Sequence, residues 1–318
     1  MNFSGKPNMW ACWLSCCASC GIAEDANTTL KKCIDCNLVR YCCDTCQENH
    51  RSYHEEACKK RAAELRAQAL IEVPKSTHRG DCPICCLPLS LDYKKNWRMA
   101  CCSKLLCIGC DHANMKGKGV MSTCPFCRVP LSFTHDESYK RMMKRIEAND
   151  PGAMCEEGNK QYNEGNYSKS FEYHTKAAEL GYIESHFELA RHYKHGRGVE
   201  KDIVREIHHL EEATLGGHPE ARYELGWHEW DKASLDDDKK GNAKTAVQHW
   251  IIAASQGDDG SIKSLMSMFR HGVIQKDILA MALRAHQAAV DATKSPQRDE
   301  AERRKCSCKT CKTRFEVH

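Results

Sequence analysis

The chain has 318 residues, room for two or three domains, with 28% charged residues and a formal net charge of +4. No apolar run approaches the ~18 residues of a membrane-spanning helix, and the near balance of charge gives no call for a nucleic-acid or membrane partner. The first residues, MNFSGKPNMWACWLSCC, lack the pattern of a secretory signal. Twenty-three cysteines in such a chain point to metal ligation in a reducing compartment, hence an intracellular protein of cytoplasm or nucleus.

Residues 1–16 hold Trp10 and Trp13 beside Cys12 and Cys16, with no assigned role. Residues 17–58 carry four close pairs of soft ligands: Cys17 and Cys20, Cys33 and Cys36, Cys42 and Cys46, His54 and Cys58. Two ligands a few positions apart can take adjacent corners of a tetrahedron, so four pairs suit two zinc ions. A segment with so few large apolar residues cannot fold on burial alone, and a structural zinc adds an apparent ~10–16 kcal/mol. Cys43 beside Cys42 is an alternative ligand.

The order and spacing resemble the MYND zinc finger. The resemblance implies interleaved pairs, with Cys17, Cys20, Cys42 and Cys46 on one zinc and Cys33, Cys36, His54 and Cys58 on the other. Tyr41 and Gln47 match the family as well. Arg51 stands where Trp is usual and Glu55 replaces a common Lys, which departs from the family's peptide-binding face.

Residues 59–73, KKRAAELRAQALIEV, predict a connecting helix that ends before Pro74. Residues 74–81 read as a linker, rich in Pro, Ser, Thr and Gly.

A second cysteine-rich segment, 82–128, has clear pairs at Cys82 and Cys85, Cys107 and Cys110, and Cys124 and Cys127. It resembles a RING finger, which implies a cross-brace of two zinc sites. Cys82, Cys85, Cys107 and Cys110 would form one site, and Cys102, Cys124 and Cys127 belong to the other. Lys104 occupies the place of the usual His ligand and is a poor zinc ligand at neutral pH. Cys101 is the favoured substitute, with His112 and Cys86 as alternatives. The resemblance further implies that Ile84 and Pro125 face a ubiquitin-conjugating enzyme and that Arg128 bridges to ubiquitin. The competing reading is that the first two shape the turns around the metal and Arg128 is solvated.

Residues 129–149 predict a loop and a charged helix whose Lys and Arg form a solvated face. Residues 150–293 contain a repeat. Segments end alike at Gly181, Gly216, Gly257 and Thr293, and small residues recur at Ala153, Ser185, Ala221 and Ser261. Small residues at fixed helical offsets let helices approach closely, and a trailing Gly suits a left-handed cap. The stretch around GRGVEKD (196–202) is similar to Sel-one-like repeats, relatives of the tetratricopeptide repeat, which implies a helical solenoid that binds protein segments. The third repeat carries a polar insertion, DKASLDDDKKGNAK. His192, His195, His208, His209 and His218 are expected in packing or surface roles, and Tyr193, Tyr223, Trp227 and Trp250 in the core. The tail, 294–318, is charged and expected to be mobile, with Cys306, Cys308, Cys311 and His318 as unassigned ligands.

The expected fold is thus small α+β zinc-stabilised domains, MYND-like and RING-like, followed by an all-α helical-repeat solenoid. Four zinc ions, two per module, would bring the charge to about −3. The expected function is a zinc-binding adaptor whose finger and solenoid engage proteins. The alternatives are a RING-type ubiquitin-protein ligase without its own nucleophile and, from the finger alone, a transcriptional or chromatin cofactor.

Overall fold

The structure, a computed structural model, describes residues 16–116, 123–131, 134–235 and 239–305. It divides into two compact units that meet at residues 72 and 73.

In the first unit a two-stranded antiparallel ladder pairs β1 (Lys31–Lys32) with β2 (Arg40–Tyr41) and precedes one long helix, α1 (Asp44–Leu70). The buried residues are Cys17, Leu30, Cys33, Cys36, Val39 and Tyr41, so half of this small core is sulfur. The expected separate helix at 59–73 is the continuation of the finger's own helix. α1 starts beside Cys46, carries His54 and Cys58, and ends at Leu70, short of the position that Pro74 restricts.

The second unit begins with the other cysteine-rich module. Here β3 (Asn96–Arg98) pairs antiparallel with β4 (Leu105–Cys107), followed by α2 (Ile108–Lys116) and α3 (His135–Glu147). Four helix pairs follow: α4 (Pro151–Asn163) with α5 (Tyr167–Glu179), α6 (Ile183–His195) with α7 (Ile203–Leu215), α8 (Pro219–Leu235) with α9 (Lys239–Ser255), and α10 (Asp259–Arg270) with α11 (Lys276–Ala292). The polar insertion does not bulge out as a loop alone. It lengthens α8 and α9 to 17 residues each, against 13 in the two pairs before them.

The recurrent small residues are the seats on which each pair closes. Ala153, Ser185, Ala221 and Ser261 are all buried. A Cβ at Gly226 would lie 2.4 Å from Nε1 of Trp250, a fully buried ring that donates to the Tyr223 carbonyl at 3.2 Å. The first helices of repeats one and four are capped by Asp150 and Asp258, whose carboxylates accept from the amides of Ala153 and Ser261. His218 takes that place in the third pair, where its Nδ1 accepts from the Ala221 amide at 3.3 Å. The left-handed cap expected at Gly216 is on Gly217, with φ +80°, because Gly216 is pressed against Ile183.

The second module is not strung on a free linker. Its first segment touches the corners between successive repeats: the His78 amide donates to the Gly217 carbonyl at 3.0 Å, and a Cβ at Gly257 would meet Leu91. Arg98 pairs with Glu156 at 3.0 Å and bonds the Tyr182 hydroxyl. Arg145, expected on a solvated face, donates to Ser103 Oγ and the Cys101 carbonyl and pairs with Asp150. The charged tail forms a twelfth helix, α12 (Pro296–Lys305), against α2. Cys306, Cys308, Cys311 and His318 lie outside the described residues, as do residues 1–15.

Two outcomes follow. Gly226→Ala is expected to destabilise the repeats by about 1–3 kcal/mol in chemical denaturation, because the buried Trp250 cannot yield. Burial, aided by His192, holds His174 down at about 3; burial, aided by His78 and by Arg222 respectively, holds His218 and His249 at about 4, all below the ordinary 6.5. The unfolded chain therefore takes up protons as pH falls through 6.5 while these folded imidazoles stay neutral. Stability is lost between about pH 6.5 and 4, by up to ~1.4 kcal/mol per pH unit per histidine. Glu188, pushed up to about 7 by burial, opposes this, as do Glu156, Glu220 and Asp258, whose carboxyls burial also raises. Unfolding midpoints at pH 7.5 and 5.5 should show the loss, and His249→Leu should lessen it by one proton's share.

Candidate metal centres

Four of the cysteine pairs are built by the same local turn. The amide of the residue after the second ligand returns to the carbonyl of the first: Gly21 to Cys17, Asn37 to Cys33, Cys86 to Cys82 and Arg128 to Cys124, at 2.8–3.0 Å. All four residues have positive φ, between 55° and 76°. Such a knuckle turns both sulfurs to one side of the chain. It also explains Cys86, whose backbone is committed to the turn and whose side chain is exposed.

Four groups result, in each of which the ligand atoms lie within 4.8 Å of one another: Cys17, Cys20, Cys42 and Cys46; Cys33, Cys36, His54 and Cys58; Cys82, Cys85, Cys107 and Cys110; Cys101, Cys102, Cys124 and Cys127. A zinc–sulfur bond of about 2.3 Å gives a tetrahedron edge of roughly 3.8 Å. The sulfurs are spaced accordingly: Cys20 to Cys42 3.6 Å, Cys33 to Cys58 3.7 Å, Cys85 to Cys107 3.8 Å, Cys102 to Cys124 3.7 Å and Cys101 to Cys127 3.3 Å. Nε2 of His54 lies 3.1 Å from the Cys36 sulfur. A disulfide needs about 2.05 Å, and every cysteine here is free. The spacing and donor set fit zinc.

The chain alternatives resolve geometrically. Cys42 belongs to the first group, while Cys43 is exposed with its sulfur 3.8 Å from Cys42. Cys101 belongs to the fourth group; Cys86 and His112 stand outside it. Adjacent Cys101 and Cys102 reach one point because Ser103, with φ 53°, reverses the chain and returns its amide to the Met99 carbonyl at 2.7 Å. Lys104, in the place of the usual His, lies with its ammonium over the Phe126 ring. Against the cost of burial, the amides of Cys20, Cys42 and Ser19 hold the Cys17 thiol down to about 6. Burial keeps His54 below its ordinary value, neutral and able to ligate. Ile84 is 46% exposed, Pro125 half-buried and Arg128 exposed.

A fifth group, His78, Glu184 and His218, was not foreseen from sequence, because 140 residues separate the two imidazoles. It does not have the form of a metal site. The Ala221 amide donates to Nδ1 of His218, so the proton sits on Nε2, which faces Glu184 at 3.7 Å. The two rings stack with centroids 4.1 Å apart and planes 7° apart, so their in-plane lone pairs run parallel instead of converging. His78 Nε2 lies 2.6 Å from the same carboxylate and Arg79 3.7 Å from its other oxygen. Against burial, the His218 ring facing it and the hydrogen bond with His78 hold Glu184 well below the usual carboxylate range. This is an electrostatic latch between the segment before Cys82 and the repeat corner.

Comparison with known proteins agrees with this layout. The MYND finger family matches residues 17–58, and the Sel1 repeat family matches residues 152–182, 183–218 and 219–258. No RING finger is found in the cysteine-rich segment between them. Among solved structures the chain is similar to a Sel1 repeat protein from Oxalobacter formigenes, with 24% identity, TM-score 0.41, and coverage of 51% of this chain and 66% of that one. It is also similar to a protective antigen of uropathogenic Escherichia coli strains displaying an SLR fold, with 19% identity, TM-score 0.38, and coverage of 56% and 37%. The chain thus spans less than two thirds of either one's own length. No curated protein matches it.

Native mass spectrometry of the full chain is expected to show four bound zinc ions. Cys101→Ser should remove one, whereas Cys86→Ser and Cys43→Ser should leave the count unchanged.

Proposed function

We propose that this chain is a zinc-dependent protein-interaction adaptor in which the metal ions are structural. The observation that carries this reading is that each cysteine group supplies four protein ligands. A zinc so held has no open position for water or substrate, so it closes a fold and performs no hydrolysis. Bound zinc would fix the knuckles and draw the sulfur charge into one compact centre.

Binding surface is present in both units. The finger exposes Ile22, Ile34, Leu38 and Tyr53, with Ile34 and Tyr53 each 85% in solvent. Isolated exposed apolar residues are ordinary, but four on a segment of 42 residues give a partner peptide something to bury. Arg51 and Glu55, which depart from the family's peptide face, argue for a ligand different from the usual one. In the solenoid a cavity of about 390 Å³ is bordered by α5, α6 and α7 and lined by Phe171, Leu189, Tyr193, Arg205 and His209. Aromatic rings beside a guanidinium suit a protein segment. No helix among the described residues is long and apolar enough to cross a membrane.

The second reading is a RING-type ubiquitin-protein ligase, favoured by one observation: Ile84 and Arg128 each stand exposed on a knuckle. Catalysis would consist of holding a conjugating enzyme and its thioester in a reactive pose. The left-handed backbone of Arg128 has a purely structural explanation in the knuckle, which weighs toward the adaptor.

Immobilised full-length protein should retain partners from its native extract. Ile34→Asp with Tyr53→Asp should lose one subset and Arg205→Asp another, and retention of every partner by both variants would sink the adaptor reading. A ubiquitination assay with a panel of conjugating enzymes decides the second: activity abolished by Ile84→Ala with Arg128→Ala would establish it.

A further inference from the structure

We infer that the C-terminal helix α12 is a structural part of the middle cysteine module, and that Arg298 clamps the Cys82, Cys85, Cys107 and Cys110 centre from outside its coordination sphere. This rests on the structural-zinc reading of that centre.

The first observation is burial. Arg298 lies in a helix with six other charged side chains among ten residues, yet it is only 5% exposed. Removing a guanidinium from water is costly unless its donors are met and its charge compensated. Nη1 donates to the carbonyls of Pro88 and Thr293, both at 2.7 Å, and Nη2 to the Leu87 carbonyl at 3.2 Å. Nη2 also points at the Cys85 sulfur, at 3.4 Å. Of these partners only the sulfur can carry charge. A zinc held by four thiolates bears a net charge of about −2, and the guanidinium is the natural counter-ion. Its planar fork bonds the sulfur and the two carbonyls that follow it in the chain, which fixes the position of the ligand as well as its charge.

The second observation is shape. Gly109 lies between the ligands Cys107 and Cys110, and a Cβ there would fall 2.9 Å from the backbone nitrogen of Arg298 and 3.1 Å from its Cα. The two backbones are in contact, so only glycine can stand in this ligand pair while α12 is seated. Ion pairs of Lys95 with Glu302 and Lys116 with Glu300, each at 3.0 Å, flank the seat, and Ala301 is buried beneath it. The module is therefore closed by residues about 190 positions downstream of its third ligand pair, and the complete solenoid must be traversed before this centre is finished.

The test uses the full-length zinc-loaded protein. After a strong chelator is added, thiols are alkylated at timed intervals and mapped by peptide mass spectrometry. In Arg298→Gln, Cys82, Cys85, Cys107 and Cys110 should become reactive on the order of tenfold faster than in the parent. Cys17, Cys20, Cys42 and Cys46 should keep the parent rate and serve as the internal control. Gly109→Ala, which leaves every charge in place, should give the same selective acceleration. Glu300→Lys, an exposed change that folds even if the others do not, should give a smaller one. Parent rates at the middle centre in all three variants would overturn the proposal, as would equal acceleration at both centres. A parent chain without zinc in native mass spectrometry would instead defeat the underlying reading and is seen before any variant is made.

Discussion

The constraint on which the rest depends is the convergence of four soft donors on a point. In both cysteine-rich modules the buried set is mainly sulfur and a few aliphatic side chains, far less apolar surface than chain ordering requires. The knuckle, with its returned amide and a left-handed residue just after the second ligand, is a local solution that recurs four times. Each instance turns two thiols toward one point, and its joining with a second ligand pair from elsewhere in the chain makes the cross-links that a larger core would otherwise provide. α1 serves the same end: two of its residues, His54 and Cys58, are one helical turn apart and so fall on one face.

The middle module draws on a further source of order. It lies against the corners of the repeats and is held there by charge. Arg98 and Arg145 reach acids of the first repeat, the stacked His78 and His218 flank Glu184, and α12 returns from the far end to cover α2. The solenoid thus supplies part of the packing that the module's own small core lacks.

The histidines of the repeats show how context sets chemistry. His192 bonds Ser170 and the Arg197 carbonyl, and His218 caps a helix. His174 packs edge-on to Gly158, where a Cβ would lie 2.8 Å from the ring. Buried imidazoles of this kind are kept neutral by their surroundings and act as flat, polar core residues. The packing and surface roles expected of them from sequence fit this placement: His192, His195, His208 and His209 share the α6–α7 pair, and none of them joins a cysteine group.

The grouping of the cysteines and the helical repeat were legible in the sequence, because close cysteine spacing and small-residue periodicity are local properties of the chain. The fourth ligand of the middle module's second site could be narrowed from sequence to Cys101, His112 or Cys86 but not decided, since two adjacent cysteines reach one point only through the left-handed turn at Ser103. Contacts were not legible wherever a segment's partner lies far along the chain. Residues 74–81 have linker composition and 294–305 have the charge of a solvated tail, yet His78 and Arg298 find their partners more than 100 residues away. Composition reports what a segment can do alone. Only the tertiary structure decides whether a distant carboxylate, carbonyl or thiolate is waiting for it, because those interactions act through space and leave no periodic trace in the chain.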